Sequence, residues 1–239
     1  MSISLDEAVE LTRTGDVWVF RGRSVPDRAI QLTTNSPVNH VGMAVVLDDM
    51  PPLMWHAELG RSLPDMWTGT HHRGVQLHDL RDAVCVWANR YGQRAWLRQL
   101  EPSADEEMEQ AVLRTVARLD GTPFPSTAQL AWRWFRGRVP AVRMPAIRVP
   151  VLGRRADPPQ PPPAGSPPET PGEVPVGDAT LETAYCAEVV AVTYEAMGLL
   201  PAGRRPNWYD PGRFWSGDDL GLDGGAQLGR EIEVRVPPR

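Results

Sequence analysis

Along the first hundred residues the apolar positions come in short blocks. They read "VWVF", "HVGMAVV", "PLMWHAEL", "GVQLHDL" and "AVCVWANR", and Gly, Pro and Asp residues separate them. Blocks of this length, bounded by turn formers, predict strands. The second and third blocks flank a Pro-Pro turn, which predicts an antiparallel hairpin. "DRAIQLTT" fits a short helix or a loop. Two segments change period. Ser4 with Glu7 forms a capping-box pattern that opens a helix to about Thr12. Ser103 with Glu106 repeats the pattern before Met108, Ala111, Val112, Thr115, Val116 and Leu119, which recur at helical spacing up to Gly121. "STAQLAWRWFRG" predicts a shorter helix ending at Gly137.

From Gly137 to Asp178 the pattern breaks, and nearly half of the 25 prolines fall here. Proline lacks the amide donor and fixes φ, so "ADPPQPPPAGSPPETPGEVPVG" is expected to be extended or disordered rather than helix or central strand. Its first part repeats a pentapeptide three times, beginning at Arg138, Arg143 and Arg148. Arg138–Leu152 is either a basic, apolar docking segment for a protein or membrane surface, or an arm packed on its own domain. Helical spacing returns in "LETAYCAEVVAVTYEAMGLL", where Val189, Val190, Thr193 and Met197 share a face and Gly198 follows the end. "NWYDPGRFWSGDD" reads as a tryptophan-rich loop. Ile232, Val234 and Val236 alternate in a closing strand. Neither side of the proline segment carries a convincing core alone. The expected organisation is one α+β domain from residues 1–136 and 179–239, interrupted by an insertion at 137–178.

Composition narrows the function. The net charge of −5 gives no general attraction to nucleic acid or anionic membrane. All 25 basic side chains are arginine. The N-terminal segment is acidic and lacks the apolar run of a signal peptide, and no stretch is long and apolar enough to span a bilayer. The expected location is cytoplasmic, where the two cysteines, Cys85 and Cys186, stay reduced.

The candidate chemistry begins with those thiols. Cys85 sits inside an apolar block and reads as core. Cys186 is expected at the start of an amphipathic helix, where the dipole and unpaired amides lower a thiol pKa and can hold an oxyanion. A buried, inert cysteine is the alternative. His40 opens a strand, a rigid mount for the base that a thiol nucleophile needs. In "MWHAEL" strand alternation puts Met54, His56 and Glu58 on one face, so His56 or Glu58 can orient His40. His71, His72, His78 and Cys85 match no zinc spacing, and no metal site is expected. Trp18, Trp55, Trp208 and Trp215 either line an apolar pocket or pack in the core.

Taken in order, "GDVWVF", "SPVNHVGMAVV", "LMWHAE" and "YCAEVVAVTYEAMGLL" resemble the circularly permuted NlpC-type papain-like cysteine proteins. These include YiiX-like hydrolases and, more distantly, the lecithin–retinol acyltransferase group. The resemblance spans about residues 10–100 and 180–236. It implies a permuted papain-like fold, a small antiparallel sheet packed against helices, with Cys186 as nucleophile and His40 as base. It places His56 where the hydrolases often carry glutamate and the acyltransferases histidine. Ala187 departs from the usual serine. The implied reaction is cofactor-free hydrolysis or transfer at an amide or ester of a peptide or lipid acyl substrate. The competing reading is a catalytically silent module that binds a partner through the proline-rich arm.

Overall fold

A computed structural model of the chain describes residues 2–22, 36–121, 176–201, 209–217 and 220–238, with the side chains of 176–184 excepted. "DRAIQLTT", "STAQLAWRWFRG", the pentapeptide arm, nearly all of the proline-rich segment and Trp208 lie outside these residues.

The chain opens with β1 (Ser2–Ser4) and α1 (Leu5–Leu11). The capping box expected at Ser4 and Glu7 is formed in both directions. Next come β2 (Val17–Arg21), β3 (His40–Val45), β4 (Leu53–Glu58), β5 (Gly74–Asp79), α2 (Leu80–Tyr91), β6 (Arg94–Arg98), β7 (Leu100–Glu101) and α3 (Glu106–Leu119). After the undescribed segment follow α4 (Val176–Ala196), a 3₁₀ turn (Pro211–Phe214), β8 (Gln227–Leu228) and β9 (Ile232–Arg235).

The expected strands at β2 to β5 are present, and β3–β4 is the antiparallel hairpin. The sheet is larger than the small antiparallel one the resemblance implies. Seven strands run in the order β1-β9-β6-β2-β3-β4-β5, and β1 joins β9 in parallel. The terminal strand β9 is therefore internal, between β1 and β6. The architecture is α+β, with four helices among the described residues.

"AVCVWANR", expected as a strand, belongs instead to helix α2. Asp79 caps the helix by accepting the Asp82 amide, and Gly92 closes it in the left-handed region at φ 63°. Between them Leu80, Ala83, Val84 and Trp87 bury one helical stripe. Cys85 is buried with them, as expected. In α3 the cap is Asp105 rather than Ser103; its carboxylate accepts the Met108 amide at 2.9 Å.

Alternation along the strands divides the core in two. On one face Trp18, Phe20, Ala44 and Met54 pack against α1 and α2. On the other, Val17, Val19, Val41, Met43, Trp55 and Ala57 pack against α3, α4 and the 3₁₀ turn. The Trp55 indole donates to Thr193 Oγ1 at 3.0 Å, and the Tyr194 hydroxyl donates to the Gly15 carbonyl at 2.6 Å, so α4 is pinned to this second face. Trp18 and Trp55 are thus fully buried on opposite faces and share no pocket. Arg98 ties the C-terminal chain down, donating to the carbonyls of Phe214, Leu228 and Gly229.

Asp16, in the Gly-Asp pair before β2, accepts the Leu100 and Arg13 amides, each at 2.8 Å. Asp16→Ala leaves those donors without partners. The expected loss in urea denaturation is about 2–3 kcal/mol, with the far-ultraviolet spectrum unchanged.

Candidate active site

His40 is the first residue of β3, and its register opposite Phe20 turns the ring toward α2. His56 and Glu58 point to the same side from β4, and Gln76 and His78 from β5, where His56 pairs with Gln76. Gly42 makes the approach possible. A side chain there would collide with Met54, and its Cβ would sit 3.4 Å from that of His56.

The rings form a continuous chain. His40 Nε2 lies 3.2 Å from His56 Nδ1, and His56 Nε2 lies 3.0 Å from His78 Nδ1. His78 Nε2 then lies 3.1 Å from Gln76 Oε1. Trp87 of α2 closes the chain edge-on, with ring centroids 4.5 Å from His40 and 4.8 Å from His56.

Hydrogen-bond chemistry gives this chain a direction. The Gln76 amide nitrogen donates to the His72 carbonyl, which can only accept. Gln76 Oε1 is therefore the acceptor for His78, so His78 carries its proton on Nε2 and a lone pair on Nδ1. His56 must then donate from Nε2 and accept at Nδ1, and His40 must donate from Nε2. The unprotonated atom at the end is His40 Nδ1, which has no hydrogen-bond partner among the described residues.

This tautomer assignment holds only for neutral rings, and burial keeps them neutral. His40 and His56 are 5% and 0% exposed. Desolvation pushes His40 down to about 3, assisted by His78; it pushes His78 down to about 4 and His56 well below the ordinary histidine value. Glu58 is also buried, and burial pushes its carboxyl up while bonds from Ser62 and Trp87 hold it back. The Ser62 amide donates to Glu58 Oε1 at 3.3 Å and the Ser62 hydroxyl to Oε2 at 2.5 Å. Glu58 therefore shares the face expected of it, but the residue that meets His40 is His56.

Cys186 is placed elsewhere. Helix α4 begins at Val176, inside the last residues of the segment expected to be irregular, so Cys186 lies well within the helix and not at its start. An amide at that depth is used by the helix ladder and is not one of the unpaired N–H groups of a helix terminus. The helix here is also buried nearly all round rather than amphipathic: Tyr185, Cys186, Ala187, Val189, Val190, Ala191 and Tyr194 are all in the core. Cys186 packs on the face opposite His40, and the sheet stands between them. The structure thus brings His40 and His56 together, places Glu58 beside them, and does not bring Cys186 to His40. His78 and Gln76 were missed by sequence reasoning. Alternation in "GVQLHDL" pairs these two on one face, which was the available signal.

No protein-family model matches this chain, and no curated protein matches it. Among solved structures it is similar to the crystal structure of metalloprotein YiiX from Escherichia coli O157:H7, DUF1105. Identity is 24% and the TM-score 0.37; the match covers 48% of this chain and 54% of that one. The match thus spans about half the length of that protein. No described helix is long and apolar enough to cross a membrane.

Proposed function

We propose that the protein hydrolyses, or transfers an acyl group from, an amide or ester, with His40 as the proton-accepting group. The observation that carries this reading is the one-way chain from Gln76 through His78 and His56, which leaves a lone pair on His40 Nδ1. A nucleophile bound at Nδ1 gives up its proton as it attacks the carbonyl, and His40 returns that proton to the leaving group. Burial makes the resting ring a weak base. The oxyanion that forms beside it supplies the opposing charge that stabilises the imidazolium in a low-dielectric setting. His56 holds the ring and its tautomer, as the orienting member of a triad does.

With Cys186 across the sheet, water or a substrate hydroxyl is the nucleophile this arrangement serves. Motif order favours a second reading, in which Cys186 attacks and His40 activates it. That reading requires α4 to start near Cys186 and the thiol to reach the α2 side. The substrate class in either reading is a peptide or lipid acyl group. A permuted papain-like fold interrupted at 137–178, with Arg138–Leu152 as a contact arm, stays part of this proposal.

The test is turnover of a panel of activated acyl esters and aminoacyl anilides by the wild-type protein and by His40→Ala. The expected result is turnover that His40→Ala abolishes. Equal turnover by both proteins contradicts the reading.

A further inference from the structure

We propose that His56, Glu58 and His78 form a site for one divalent transition-metal cation of the zinc class. Their ligand atoms lie within 4.8 Å of one another, and all three side chains are buried. His56 Nε2 and His78 Nδ1 are 3.0 Å apart. Donor atoms about 2.0–2.1 Å from a tetrahedral metal are roughly 3.3 Å from each other, so the two imidazoles already stand at coordination spacing. The Glu58 carboxylate needs to close by only roughly 1–2 Å to complete a three-ligand set.

The surroundings match those of ligated groups. His78 donates its other ring N–H to Gln76 Oε1, which the Gln76 amide bond to His72 holds in place. Ser62 hydrogen-bonds the Glu58 carboxylate from its amide and its hydroxyl and holds it on the side of the two rings. Such outer bonds orient metal ligands before the metal arrives. Charge points the same way. Glu58 is 3% exposed, is hydrogen-bonded by Ser62 and Trp87, and forms no ion pair among the described residues, with the charge of His71 only a minor favourable influence on it. A buried carboxylate without a cation is costly, and a divalent ion at this point compensates it. Two imidazole nitrogens and one carboxylate oxygen suit zinc, cobalt or nickel rather than calcium or magnesium, which favour oxygen alone.

Coordination takes the lone pair of His56 Nε2, so the proton there leaves to solvent. His56 stays neutral by accepting the His40 Nε2 proton at Nδ1, and His40 takes one from solvent at Nδ1. No net proton is released by the rings, and the chain reverses direction. The loaded cluster and the cluster with a free His40 Nδ1 are therefore two states of the same residues. The metal site does not depend on the hydrolytic reading, and its test needs no substrate.

The test titrates cobalt(II) chloride into chelator-stripped protein and follows the visible spectrum. The expected result is saturation at one equivalent, with ligand-field bands of a low-coordinate cobalt ion and no thiolate charge-transfer band. Glu58→Gln and His78→Gln are each expected to weaken binding by at least about tenfold, while Cys85→Ala leaves the titration unchanged. Circular dichroism of the stripped variants establishes that they fold. Where His78→Gln does not fold, Glu58→Gln carries the test. Absence of a saturable band, or wild-type binding by folded Glu58→Gln, overturns the site.

Discussion

His40→Ala is expected to lower kcat/KM on activated acyl esters by roughly 100- to 10,000-fold, the usual contribution of a positioned general base. The loss falls on kcat, because the ring acts on the proton in flight and not on ground-state binding. His56→Ala is expected to follow it, since His40 then loses the acceptor that holds its tautomer. Glu58→Ala leaves the His40–His56 bond intact and is expected to have a mild effect on turnover. The informative companion is Cys186→Ala. With the sheet between thiol and imidazole, turnover is expected to stay near wild type. A dead but folded Cys186→Ala, together with an acyl group trapped on Cys186 by mass spectrometry, would establish the thiol reading. It would also show that the working arrangement of α4 differs from this one.

The second large effect is on stability in acid. In the native state His40 is pushed down to about 3, His78 to about 4, and His56 well below its ordinary value. In the unfolded chain each titrates near 6.5. Between pH 6.5 and about 4 the unfolded state thus binds protons that the native state refuses, and stability falls as pH falls. Each histidine contributes a slope of up to about 1.4 kcal/mol per pH unit. Asp16, pushed up to about 6 by burial, and Glu58, also raised, act oppositely, because they hold protons in the native state that the unfolded chain releases. The wild-type slope is therefore a difference, and the clean measurement compares two proteins. His78→Gln removes one histidine from the cluster. Urea denaturation with chelator present, at a series of pH values from 6 to 4.5, is expected to give this variant a slope flatter by about 1 kcal/mol per pH unit. Equal slopes would mean that His78 titrates alike in both states.

Much of the scaffold was legible from local rules. The capping box at Ser4 and Glu7, the β3–β4 hairpin and the apolar stripe of α3 are each set by neighbours a few residues away, and each formed as expected. Alternation in "MWHAEL" was enough to put His56 and Glu58 on the face of His40. The misread helix α2 shows where local reading fails. Val84 and Val86 alternate like a strand, but the cap at Asp79 and the left-handed Gly92 bracket a helix. β6 was passed over, since "RAWLR" gains its partners only from distant β2 and β9.

The site was legible only in part, for a related reason. Alternation tells which residues share a sheet face. It does not tell which face a later helix will cover, and that decides whether Cys186 meets His40. Nor did spacing in sequence reveal the His56, Glu58 and His78 cluster, because the two strands are joined by register rather than by a metal-binding motif. The opening position of His40 in β3 is explained all the same: it places the ring at the end of a chain of three imidazoles whose direction is set from Gln76.

Long-range proton–nitrogen correlation spectra of the histidine rings, recorded near neutral pH on metal-free protein, read the direction of this chain at each nitrogen. His40, His56 and His78 are all expected to show a protonated Nε2 and a bare Nδ1. A protonated Nδ1 on His40, or opposite tautomers on His40 and His56, would contradict it.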